Sequence, residues 1–166
     1  MLFRSSGAGR NARQDDPQLR PFYVHDGLNG MPALRFSETE TTRMEIPDLA
    51  AGKTTATIFA VISNPEPGSD VNHDPRILTA SDGKEFDYMG GLCASVTGME
   101  TGGPRQAAWT FTDRSAQHVR LGCFSPSYQT YFTGLISELL VYTRVLTADE
   151  QDLVRAHLMA KWGLSE

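Results

Sequence analysis

Basic charge is scarce in this chain. Fifteen Lys and Arg stand against twenty Asp and Glu, giving a net charge of −5 and an isoelectric point near 5.3. No basic cluster offsets that balance, so a nucleic-acid partner is not expected. Cysteine is scarcer still. Cys93 and Cys123 are the only two, and they form no metal-ligand pattern. Paired, they would close a loop of about 30 residues and add roughly 3–4 kcal/mol on the chain-entropy model. Also missing is an apolar run long enough to span a membrane. Met1-Leu2-Phe3-Arg4 runs straight into Ser5-Ser6-Gly7, without the apolar core of a secretory signal. In that setting two reduced, buried thiols are the expectation. The four histidines, His25, His73, His118 and His157, lack zinc spacing, and no Gly-x-Ser-x-Gly elbow occurs. There is no internal repeat and no low-complexity tract.

At 166 residues the chain is expected to be one domain with a sizeable core. Residues 1–21 are rich in Gly, Arg and polar side chains, with Pro17 and Pro21, and read as an arm or loop. Gly7-Ala8-Gly9 is not a dinucleotide loop, since no apolar strand precedes it. Residues 22–166 then alternate short β-like runs with turn signals. Phe22 to Val24 leads into the Asp26-Gly27 and Asn29-Gly30 turns. Pro32 to Phe36, Arg43 to Ile46 and the β-branched, apolar run Thr55 to Ile62 follow. After a polar loop from Ser63 to Pro75 come Arg76 to Ala80, Phe86 to Met89, Gly90 to Val96, Ala107 to Thr112 and His118 to Cys123. Many strands and one convincing helix predict an all-β antiparallel sandwich.

The most informative stretch is the last, Tyr131 to Leu164. Leu135 to Tyr142 is apolar apart from Ser137 and Glu138, the pattern of a strand covered on both faces. Thr147 and Glu150 have the spacing of a capping box, in which each side chain accepts from the other residue's backbone N–H. They predict a helix over 148–161. Its buried side is expected to carry Leu153, Val154, His157, Leu158 and Trp162, with Gly163 as a left-handed stop.

Three motifs point the same way. Gly134, Ile136, Glu138 and Tyr142 lead into Arg144, Leu146, Thr147, Glu150 and Lys161-Trp162-Gly163-Leu164. Upstream lie Leu28-Asn29-Gly30-Met31-Pro32-Ala33-Leu34-Arg35-Phe36, and before them Ser6-Gly7 through Asn11-Ala12. Together these resemble the laminin-G-like domains with the concanavalin-A-like jelly roll, in their bacterial and phage branch. The resemblance touches both ends of the chain. It implies an antiparallel jelly-roll β-sandwich closed by one short C-terminal α-helix. It also implies non-catalytic recognition or adhesion towards a glycan or protein surface, as in a spike, fibre or other surface component of a phage-like particle. A purely structural assembly subunit is the alternative, and a glycoside hydrolase a weaker one. The site of action would be a virion or an extracellular surface reached by non-classical release, and otherwise the cytoplasm.

The chain departs from the family twice. It starts where relatives have finished a first strand, and Thr97 to Phe124 lacks their middle hairpin. Both departures predict an exposed strand edge and a homo-oligomer or larger assembly. The contact is expected through residues 1–21, which carry Arg4, Arg10, Arg13 and Arg20.

Candidate sites are few. Retaining glucanases need paired acids on one strand face, of the form Glu-x-Asp-x-x-Glu. The nearest approach, Glu38-Thr39-Glu40, is a solvated polar segment, so no enzyme is expected. Sugar stacking calls for exposed aromatics. Tyr128 and Tyr131 in a Ser/Pro/Gln loop, and Trp109, are the candidates; core packing is the competing fate for Trp109. Asp70, Asn72 and Asp74 have the alternating spacing of a calcium loop, but Pro75 and Ser81 fall where an EF-hand needs Gly and Glu. Laminin-G-like domains hold calcium at a loop rim, which makes these three, with Asp82, the place for Ca2+ if it binds. Glu138 is expected to be structural, tied to backbone N–H groups, to Arg144 or to Lys161.

Overall fold

The computed structural model describes residues 11–50, 52–64, 76–81, 91–95, 102–125 and 130–165. The strands are β1 (Phe22–Leu28), β2 (Met31–Phe36), β3 (Met44–Ile46), β4 (Lys53–Asn64), β5 (Arg76–Ser81), β6 (Cys93–Ser95), β7 (Gly102–Ser115), β8 (Gln117–Leu121), β9 (Cys123–Ser125), β10 (Thr130–Tyr131) and β11 (Gly134–Tyr142). Among the described residues one α-helix, α1 (Ala148–Trp162), follows β11, and a single 3-10 turn, Pro17–Leu19, precedes β1. The strands form two main antiparallel sheets, β1-β2-β11-β4-β7 and β3-β8-β5-β6, with β9 and β10 as a separate pair. The all-β class and the terminal helix expected from the sequence are both present. Phe86 to Met89 lies outside the described residues.

Alternation along β4 explains the layering. Ala56, Ile58, Ala60 and Ile62 point between the sheets, where they meet Ile77 and Leu78 of β5 and Val119 and Leu121 of β8. Phe59 and Val61 point the other way, into a second apolar layer with Leu28, Leu146, Leu158 and Trp162. A strand packed on both faces loses the polar half of its pattern. That is why β4 is apolar without a break and is buried from Ala56 to Ser63. β11 is a milder case: Ile136 enters the inter-sheet core and Leu140 and Tyr142 face the helix, yet Glu138 to Tyr142 are only half-buried.

β7 is longer than its apolar run. Polar residues from Gly102 to Gln106 and from Asp113 to Ser115 continue the ladder with β4, because an edge strand needs only one partner. Ala116, fully buried, then carries the chain across to β8 in the opposite sheet.

Helix α1 starts at the expected box. Thr147 Oγ1 accepts from the Glu150 N–H at 3.3 Å and Glu150 accepts from the Thr147 N–H at 2.9 Å. Arg144 grips both Glu150 oxygens at 2.7 Å. These bonds, Arg144 first and the Thr147 backbone second, pull the Glu150 carboxyl from an ordinary 4.5 down to about 2. A depressed folded value gives stability that is complete above about 4.5 and disappears as pH falls toward 2. Glu150→Gln is therefore expected to flatten the acid limb of the stability curve in that window. Urea midpoints measured at successive pH values would check this; an unchanged acid limb would contradict it.

The buried side of α1 is narrower than its periodicity suggests. Leu158 and Trp162 are buried and Val154 half-buried, one row at i, i+4, i+8. Leu153 is 72% exposed and His157 is exposed, contrary to the expectation for both. A helix resting on a sheet face buries one such row, and Leu28 and Leu146 fill its flanks.

The Asn29-Gly30 turn reaches this helix. Both residues have positive φ, 49° and 76°, the geometry of a tight two-residue hairpin turn. The Asn29 side-chain amide donates to the Trp162 carbonyl and approaches that of Gly163 at 3.4 Å. The first hairpin thus caps the C-terminus of the last helix, whose own stop is Gly163 at φ 59°.

Candidate functional site

Three places gather chemistry. The first is a groove of about 280 Å³ lined by Arg13, Glu45, Ile46, Pro47, Asp48, His118, Val119 and Arg120. Residues 11–21 build one wall. They are docked on their own protein: Arg13 and Glu45 exchange both backbone hydrogen bonds at 2.8 Å, and the Arg43 N–H donates to Leu19 at 2.9 Å. Arg20 folds back onto the Gln14 and Asp15 carbonyls at 2.8 and 3.0 Å. The described half of the expected arm therefore extends the four-stranded sheet past β3.

Register sets the groove's charges. Glu45 lies opposite Arg13 on one side and Arg120 on the other. Directly opposed residues of antiparallel strands share a face, so Glu45 lies on the same face as both arginines. His118 adopts φ 49°, a left-handed backbone uncommon outside glycine. Its N–H donates to Asp48 Oδ1 at 2.7 Å, which fixes the corner.

The second place is the β1 edge. Phe22 and Tyr23 are 42% and 50% exposed, adjacent aromatics on the outermost described strand of the five-stranded sheet. The Arg35 guanidinium sits 4.5 Å from the Phe22 ring centre, and Tyr23 and His25 meet edge to face at 6.5 Å.

The third is the Glu138 cluster. Its carboxylate accepts from Lys161 Nζ at 2.8 Å and from the Trp162 indole N–H. The lone acid of β11 thereby anchors the last turn of α1. Glu138→Ala is expected to cost about 1–3 kcal/mol, because the buried indole donor loses its acceptor. Denaturant unfolding would check this, with Glu138→Gln recovering part of the loss; unaltered stability would contradict it.

The remaining candidates are placed as follows. Tyr131 is 5% exposed. Burial pushes its phenol pKa up, as does Cys123, while Arg43 opposes the rise. No face of that ring is open to a sugar. Trp109 is half-buried against both inter-sheet clusters, a core position. Cys123 is a buried thiol that desolvation holds at about 11, against the pull of Arg43 and Arg120, so it stays protonated at neutral pH. Tyr128, Asp70, Asn72, Asp74 and Asp82 lie outside the described residues. Among the described residues no group of three or more His, Cys, Asp or Glu is placed to hold a metal ion, and no described helix is long and apolar enough to cross a membrane.

Sequence reasoning missed the groove altogether. In the sequence His118 lacks zinc spacing and opens a β-like run, and Arg13 belongs to a basic arm; neither pattern points to a groove. Comparison with family models, with curated proteins and with solved structures finds no match for this chain.

Proposed function

We propose that the protein is a non-catalytic recognition module of the laminin-G-like, jelly-roll kind, and that it docks a partner strand along β1. The observation that supports this reading is the pair of exposed aromatics, Phe22 and Tyr23, on the edge of the five-stranded sheet. Aromatic side chains provide most of the contact energy in protein interfaces, and an edge strand offers a row of N–H and C=O groups for main-chain pairing. A second copy is the simplest source of such a strand, and the role of assembly subunit is then the same activity turned on itself. Recognition through β1 moves the contact away from residues 11–21, which are engaged with Arg43 and Glu45 of the same chain.

Sedimentation of the full chain over a wide concentration range tests this. Self-association is expected, and Phe22→Lys with Tyr23→Lys should abolish it while leaving the melting temperature within a few degrees. A wild-type monomer at millimolar concentration, or a double variant that still associates, would rule out the β1 edge as the self-contact.

A further inference from the structure

We propose that the groove between residue 13, β3 and β8 binds an acidic sugar, with Arg13 and Arg120 holding the carboxylate of a hexuronate ring. The groove is polar and built on paired backbone. The Arg13 main chain is fixed by its two backbone bonds to Glu45, Glu45 and Arg120 are ladder partners, and the left-handed His118 backbone is pinned by Asp48. An uncommon backbone conformation held by a specific side chain is a frequent mark of a ligand site. Among the described residues, neither the Arg13 nor the Arg120 guanidinium has a hydrogen-bond acceptor or ion-pair partner within bonding distance. Both forks line the same groove as Glu45 and Asp48.

The mixture of charges selects the ligand. Glu45 and Asp48 would repel a phosphate dianion drawn in by the arginines. A monoanion carrying neighbouring hydroxyls suits both signs at once. The arginines take its carboxylate in charge-assisted pairs, while Glu45 and the second Asp48 oxygen accept from its hydroxyls. Val119 is buried and Ile46 packs on the core, so exposed Pro47 is the main apolar surface, in keeping with a hydroxylated ring rather than an apolar side chain. The volume, about 280 Å³, accommodates one or two sugar rings. Calcium has no part in this arrangement.

Titration calorimetry of the full chain with trigalacturonate, and with its methyl ester, tests the proposal. The ester keeps every hydroxyl and removes only the anion. Binding of the acid and not the ester is expected, weakening as salt rises and unchanged by EDTA. Arg120→Gln and Arg13→Gln should each weaken it at least about tenfold, the equivalent of one charge-assisted pair. Both side chains lie at the surface, and circular dichroism would show each variant folded. Equal binding of acid and ester, binding of neither, or full affinity in both variants would overturn the proposal. None of these outcomes depends on whether β1 takes a partner strand.

Discussion

Gly122→Ala is expected to lower the melting temperature by about 10 °C or to prevent folding. The added methyl would sit 2.2 and 2.4 Å from two carbons of the Phe36 ring. That ring cannot retreat, being 1% exposed and packed beside Phe132 at 6.4 Å between ring centres. The backbone cannot retreat either: the Gly122 N–H donates to Ile77 at 2.9 Å and its carbonyl accepts from Phe132 at 3.0 Å. Overpacking costs about 1–3 kcal/mol and the left-handed φ of 76° about 1–2 more. At about 2–4 °C per kcal/mol for a chain of this size, the fall follows. Gly103→Ala is the control, since a methyl there meets nothing within 4 Å. A scanning calorimetry trace for Gly122→Ala that overlays the wild type would show that Phe36 is free to move, and the core description would fail.

Leu158→Asp is expected to leave little folded protein. Leu158 is fully buried between α1 and the sheet, against Phe59, Val61 and Trp162. Removing a buried leucine side chain costs about 2–5 kcal/mol, and a carboxylate in its place adds the desolvation of a charge. Against a total of roughly 5–15 kcal/mol, that loss is decisive. The same change five residues earlier is the comparison. Leu153→Asp alters a side chain that is 72% exposed, so only helix propensity is lost, on the order of 0.5 kcal/mol. Guanidinium unfolding of both variants would separate them; equal losses would mean that the helix does not rest on the row Val154, Leu158 and Trp162.

Sequence reading succeeded where one element carries its own signal. The continuous apolar run of β4 and the Thr147–Glu150 box of α1 are local patterns with local causes, and both are found in place. It failed where a partner decides. Leu153 and Leu158 look alike in the helical period, and only the flat sheet beneath selects one row. Trp109 and Tyr131 carry the same rings as a sugar platform, and only their neighbours make them core. The polar ends of β7 fall outside the predicted run Ala107 to Thr112, because an edge strand needs no apolar face there. The groove was least legible of all. Residues 13, 45 and 120 meet through ladder register, which depends on pairings more than 30 residues apart.

The strand order carries a consequence for synthesis on the ribosome. β11 lies between β2 and β4, so residues 134–142 occupy the middle of the five-stranded sheet although they are made after its four other strands. Until they emerge, the β1–β2 hairpin has no described ladder joining it to β4 and β7. The Asn29 cap waits longer still, for Trp162, 133 positions downstream. Closing contacts of such separation is slow relative to local pairing, and exposed strands are prone to wrong partners meanwhile. Nascent chains stalled before residue 134 should therefore be protease-sensitive throughout the first hairpin, with protection arriving abruptly once the C-terminal stretch leaves the exit tunnel.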